Sequence, residues 1–317
     1  MRRPSIPRAC SGGRPVWRQP RPRFGTNGPP VPRGRPIRSG PSTSPTQRRA
    51  TTATPFADLG LAGAPNLRDV GGHVTADGRR VRRGLLYRSG SLHRLAGPDA
   101  ARFAELGVRT VYDLRTEAER AAEPDHLPPG TRQVAVDVLG VHVPTHPSRL
   151  MRLFDDPAAA AADLGDGGSE ALWRAQYADF VRLPHARAAF GRLFRDVAET
   201  ANRPALLHCS TGKDRTGWAA AALLLLLGVP EATVVADYLA SRDHLAPLVG
   251  PLLERFAARG GDPALLEPML GVRPAYLETA LAEVDRRFGS IAAYFADGLG
   301  VGAAVQTALR AAFVEAA

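Results

Sequence analysis

Between Pro204 and Leu227 the chain passes from a compact apolar run, Ala205–His208, through the polar loop Cys209-Ser-Thr-Gly-Lys-Asp-Arg215, into a longer apolar run, Thr216–Leu227. Few folds accept this order. A short apolar run bounded by a turn reads as a buried strand, and a longer one as a buried helix. The apolar run Trp218–Leu227 is too short to cross a bilayer. The loop therefore lies between the C-terminal end of a strand and the N-terminal end of a helix. In an open α/β sheet that is where ligands bind. Free helix amides and the helix dipole favour an anion there, and a loop this short can curl its own amides around one tetrahedral oxyanion.

The flanking sequence extends the same pattern. Gly84–Tyr87, Val108–Leu114 and Gln133–Val138 read as strands. Pro98–Leu106 reads as a helix with Pro98 in its first turn. Thr116 is placed to cap a short helix through Arg120, with Glu119 completing a capping box. Leu150–Phe194 is mostly helical, interrupted at Gly165–Gly168, and Glu231 to the C-terminus is helical, broken at Pro247, Pro251, Pro263 and Pro274. Alternating strands and helices predict an α/β fold, a central and mainly parallel sheet flanked by helices, with a helix-rich C-terminal part.

The net charge of +10 does not describe this domain. Residues 1–50 hold 12 arginines, 11 prolines and no acid, so the remainder carries 29 basic against 31 acidic residues. Such a tail cannot bury enough apolar surface to offset its chain entropy, and residues 1–54 are expected to be disordered. Residues 55–317 are expected to form the folded domain. Nothing in that near-neutral part calls for nucleic acid, and no stretch reads as a transmembrane helix. The two cysteines, Cys10 and Cys209, lie in different parts, which excludes a disulfide framework within the domain. A reduced, cytoplasmic setting fits; secretion stays open, with no signal peptide visible.

Each residue type in the loop suits anion chemistry. Cys209 stands at the strand end, where inward amides and a helix dipole stabilise a thiolate nucleophile. His208 orients the loop. Ser210, Thr211, Gly212 and Lys213 supply the curve, with Gly212 permitting a turn that a side chain blocks. Lys213 is the only lysine in a chain whose other 40 basic residues are arginines. Its compact ammonium is therefore expected to be wanted in the loop. Arg215 can hold two oxygens through its planar fork, Thr216 can donate a hydroxyl to the sulfur, and Gly217 lets the helix start pack closely.

This loop resembles the Cys-x5-Arg signature of protein tyrosine and dual-specificity phosphatases. Its form, His-Cys-x-x-Gly-Lys-Asp-Arg-Thr-Gly, resembles the bacterial tyrosine-phosphatase B family of tyrosine/serine phosphatases. Asn66-Leu-Arg-Asp-Val-Gly-Gly72, Tyr87-Arg-Ser-Gly-Ser-Leu92 and Asp113-Leu-Arg-Thr-Glu117 are similar to that family's N-terminal blocks, in the same order. The resemblance spans Asn66 to Asp243 and, more loosely, the rest of the domain. It implies a protein-tyrosine phosphatase that forms a cysteinyl-phosphate on Cys209 and hydrolyses it with water, without metal or other cofactor. A phosphorylated protein is the implied partner.

The leaving oxygen needs a general acid, and the Trp-Pro-Asp loop of typical tyrosine phosphatases is absent. Asp214 is the first choice, as the resemblance also suggests; Asp113 at a strand end is second and Asp69 third. Arg68 and Arg115 read as scaffold or surface arginines rather than as the mouth of the site. Trp173, Tyr177 and Phe180 recur at helical spacing and read as core. The role of Asp237–Asp243 stays open, and the histidines show no metal-ligand spacing. Alternatives are a phosphoinositide or dual-specificity phosphatase, favoured by the loop's extra positive charge, and a phosphate-binding module without turnover. A cysteine peptidase leaves Gly212, Lys213 and Arg215 unexplained. A protein acting through its basic tail is the remaining rival.

Overall fold

The computed structural model describes residues 56–140 and 152–316. The tail expected over residues 1–54, His142 and His146, and the start of the helical stretch at Leu150 lie outside them. Five strands form one sheet in the order β1-β2-β5-β3-β4. They are β1 (Arg68–Asp69), β2 (Leu86–Ser89), β3 (Thr110–Asp113), β4 (Arg132–Ala135) and β5 (Ala205–His208). Every pairing is parallel except β1 with β2. The fold class expected from the sequence is the one observed.

Strand alternation decides what each face buries. Tyr87, Leu206 and Val111 lie in register across β2, β5 and β3. They pack on a small core with Phe103 of helix α1 (Gly97–Glu105). Leu86, Leu207 and Tyr112 face the larger core on the other side. That core receives the helices α3 (Pro157–Leu164), α4 (Gly168–Arg182), α5 (Pro184–Ala198) and α6 (Arg215–Leu226). Every residue of β5 is buried, which explains its unbroken apolar sequence. Helix α2 (Glu117–Ala122) is short and buries nothing. It is held by the expected capping box, Thr116 and Glu119 each bonding the other's backbone.

The C-terminal part is helical, as expected, but its breaks differ. Helix α7 (Glu231–Ala257) runs through both Pro247 and Pro251. Both prolines are exposed, so the carbonyls they leave unbonded face water and the helix continues. Pro263 and Pro274 instead begin α8 (Pro263–Leu270) and α9 (Pro274–Phe288), where a missing amide costs nothing. Helix α10 (Ala303–Phe313) closes the chain. The two-residue antiparallel β1 was not foreseen, because so short a strand leaves no periodicity to read.

Candidate active site

The loop from Cys209 to Asp214 joins β5, the middle strand of the sheet, to α6. Its shape is set from behind. His208 Nδ1 lies 3.2 Å from the Cys209 carbonyl oxygen. The Ser91 amide donates to the Ser210 carbonyl at 3.0 Å. Asn66 Nδ2 donates to the Thr211 and Gly212 carbonyls at 3.3 and 3.2 Å, and Arg88 Nη2 donates to Gly212 at 2.9 Å. Four successive carbonyls are thus held from the scaffold side. Across a trans peptide the N–H points opposite to the C=O, so the amides of Ser210, Thr211, Gly212 and Lys213 turn the other way, into the loop. Among the described residues none of the four donates a hydrogen bond to the protein. Gly212 has φ +72°, and a Cβ there would stand 2.3 Å from the Ser89 carbonyl oxygen. Only glycine fits that approach.

Behind the loop lies a buried charge network. Asp237, on α7, accepts from Arg68 Nε at 3.2 Å and Arg88 Nη1 at 2.8 Å, and both arginines are at most 1% exposed. Burial alone would raise the Asp237 carboxyl, but the two guanidiniums bring it down to about 2. Ser241, one turn on, bonds Arg68 and Asn66 at 3.1 and 3.3 Å. The Asp237–Asp243 segment therefore has a role: it anchors the two residues that hold the loop's carbonyls.

The rim of the loop is equally specified. Arg215, the first residue of α6, forms a fork with Glu119, both bonds 2.8 Å. Its Nη2 also reaches Ser210 Oγ at 3.2 Å, and Ser210 in turn donates to Glu119. Burial opposes both charges, yet the pair prevails: Glu119 is held at about 2 and Arg215 is raised above its ordinary value. Cys209 is a free thiol, 1% exposed. Thr216 Oγ1 is buried without a hydrogen-bond partner among the described residues, as a group reserved for the expected donation to the sulfur would be.

Of the three candidate acids, only Asp214 lines the cavity above the loop. It accepts from Tyr177 Oη at 3.0 Å, Trp173 Nε1 at 3.3 Å and Lys213 Nζ at 2.8 Å. Lys213 also sits 5.4 Å from the Trp173 ring centroid. Asp113 and Asp69 are placed elsewhere. Asp113 is 0% exposed and bonded to Arg115 Nε and Nη2 at 2.9 and 2.8 Å. Asp69 accepts from the Gly71 and Gly84 amides at 2.7 and 2.6 Å, and burial raises its carboxyl. Each is committed to the scaffold.

Arg68 and Arg115 are scaffold arginines, fully buried rather than surface residues. Arg115 bridges Asp113 and Asp125 at 2.8 Å each, and Asp125 approaches His208 Nε2 at 3.1 Å. Asp113, Asp125 and His208 converge closely enough to hold a metal. The positive charge among them is already supplied by Arg115.

The cavity has a volume of about 240 Å³. Its floor is Ser210, Thr211, Lys213, Asp214 and Arg215, and its apolar walls come from Leu139, Phe154, Trp173, Phe180, Met269 and Leu270. Trp173 and Phe180, read from their spacing as core alone, therefore also form walls of the site. Spacing identifies the inward face of a helix without saying whether that face meets core or cavity. Glu119, Asn66, Arg88 and Asp125 were not expected as site residues. Glu119 was legible only as a cap, and Asn66 and Arg88 only as members of sequence blocks.

A loop of inward-turned amides beside a buried thiol, with a guanidinium at its rim and an α/β sheet beneath, defines the class of phosphatases built on a Cys-x5-Arg loop. Residues 59–315 match the tyrosine phosphatase family, and the chain belongs to that family, an enzyme acting on phosphoric monoesters. It is 35% identical over 245 residues to a Cupriavidus necator protein whose name marks it as a provisional tyrosine-protein phosphatase, covering 77% of this chain and 85% of that one. It is 31% identical over 259 residues to the triple specificity protein phosphatase PtpB of Mycobacterium tuberculosis, covering 75% and 92%. A tyrosine-protein phosphatase of Nostoc commune is 32% identical over 160 residues, about half of each chain.

Proposed function

We propose that this enzyme hydrolyses phosphotyrosine in proteins, with Cys209 attacking phosphorus and Arg215 holding the equatorial oxygens. One observation carries the reading: four loop carbonyls tied from behind turn four successive amides, beginning right after Cys209, into the loop. Such preorganised donors stabilise the charge on a transferring phosphoryl group without reorganising during the reaction. The Arg215 fork that grips Glu119 matches a phosphate equally well. Asp214, oriented by three donors at the edge of the loop, gives a proton to the leaving phenolate. In the second step it takes one from the water that attacks the cysteinyl-phosphate. Thr216 donates to the departing sulfur.

The aromatic and aliphatic walls above the loop suit a flat apolar ring whose phosphate reaches the floor. That favours phosphotyrosine over phosphoserine, whose short side chain leaves the walls untouched, and over an inositol ring, whose hydroxyls find few partners there. The test compares phosphate release from phosphotyrosine peptide, phosphoserine peptide and phosphoinositide, with EDTA present throughout. The expected result is the largest kcat/KM on phosphotyrosine and no effect of EDTA. A larger kcat/KM on phosphoinositide would replace the protein substrate with a lipid headgroup.

A further inference from the structure

The N-terminal ends of the parallel strands lie at the edge of the sheet opposite the loop. Arg109 immediately precedes β3, Arg203 lies just before β5, and Arg82 is on the segment entering β2. These three arginines line one cleft of about 390 Å³ with Leu85, Thr200 and Ala312. No carboxylate is among the lining residues.

The donors in this cleft are only partly used. Arg203 is 9% exposed. Its Nη2 bonds Thr200 Oγ1 at 2.9 Å and the Ala198 carbonyl at 3.3 Å, and its guanidinium lies 5.3 Å from the Phe313 ring centroid. Its Nε is buried with no hydrogen-bond partner among the described residues. Native proteins rarely leave a buried donor unbonded, and such a group points to something that completes it. Arg82 Nη1 bonds the Ala311 and Ala312 carbonyls at 2.8 and 2.6 Å. The Arg109 guanidinium makes no hydrogen bond or ion pair among the described residues. Burial lowers the proton affinity of Arg203, Glu199 opposes this, and the charge of Arg82 adds to it. Three guanidiniums thus converge without a matching carboxylate in the cleft.

We propose that this cleft is a second anion site, separate from the catalytic loop, which takes a small phosphate-bearing molecule. Planar forks on several sides suit a group with three free oxygens. The volume exceeds that of an inorganic ion, and Leu85 and Ala312 offer a small apolar contact for the part of the ligand beyond the phosphate.

Equilibrium dialysis of the full chain with radiolabelled orthophosphate tests this. Wild type should bind two equivalents and Arg215→Ala one. Arg109→Gln, at an exposed position, should weaken the second site by about tenfold, the scale of one charged hydrogen bond. It should leave turnover of phenyl phosphate unchanged. Adding Arg203→Met to Arg215→Ala should abolish binding. A single equivalent in wild type that Arg215→Ala abolishes, or two equivalents of undiminished affinity in Arg109→Gln, would each overturn the second site. Both outcomes leave the reading of the catalytic loop intact.

Discussion

Asp237→Asn keeps the shape of a buried side chain and removes its charge. In the native protein that charge faces Arg68 and Arg88, both essentially inaccessible to water. The carboxyl is held at about 2 instead of 3.8, which corresponds to about 2 kcal/mol of stability. The variant loses this and also leaves two buried guanidiniums uncompensated, so the total cost is roughly 3–5 kcal/mol. For a domain of this size that lowers Tm by on the order of 10 °C. The sign with pH follows from the depressed carboxyl. Its stabilisation is complete above the unfolded value and is lost as pH falls from about 4 toward 2. The gap between wild type and variant should therefore be full at neutral pH and shrink below about 4. Arg88 also bonds the Gly212 carbonyl, so KM for phosphotyrosine peptide should rise as well. Thermal denaturation followed by circular dichroism at several pH values measures the first effect, and steady-state kinetics the second. A Tm change below about 3 °C, or a gap that widens in acid, would refute the reasoning.

Glu119→Gln should lower kcat about tenfold, the scale of one charged hydrogen bond, because Arg215 loses the fork that fixes it. An unchanged kcat would mean that Arg215 needs no positioning. Asp214→Asn should slow phosphotyrosine hydrolysis about a hundredfold and p-nitrophenyl phosphate much less, since the better leaving group needs no proton; equal losses would remove Asp214 as the acid. Trp173→Ala should raise KM for aryl phosphates by about tenfold with little change in kcat, because an aromatic contact worth about 1–1.5 kcal/mol is lost. A fall in kcat with KM unchanged would place Trp173 in the chemistry instead, through its bond to Asp214.

The parts of the site that were legible in the sequence are those whose chemistry is local. Cys209, Gly212 and Arg215 fall in one short loop between a strand and a helix, so their spacing brings them together, while Asn66, Arg88 and Ser91 fix the curve. The capping box of Thr116 and Glu119 was readable for the same reason. Other parts depend on contacts across long separations. Glu119 meets Arg215 96 residues away, and Asp237 meets Arg88 149 residues away. No periodicity encodes such a pairing. Asp113 illustrates the converse error: a carboxylate at a strand end suggests an exposed acid, but Arg115 two residues on folds back and neutralises it. Pro247 and Pro251 suggested breaks because a proline's effect depends on whether the freed carbonyl meets water, which only the packing decides.

Trapping the intermediate is the most direct test of Cys209 as the nucleophile. Rapid acid quench during turnover of a phosphotyrosine peptide, followed by peptide mass spectrometry, should find one phosphoryl group on the peptide carrying Cys209. Cys209→Ser should show no turnover. Phosphoryl transfer to a different residue, or turnover persisting in Cys209→Ser, would contradict the mechanism.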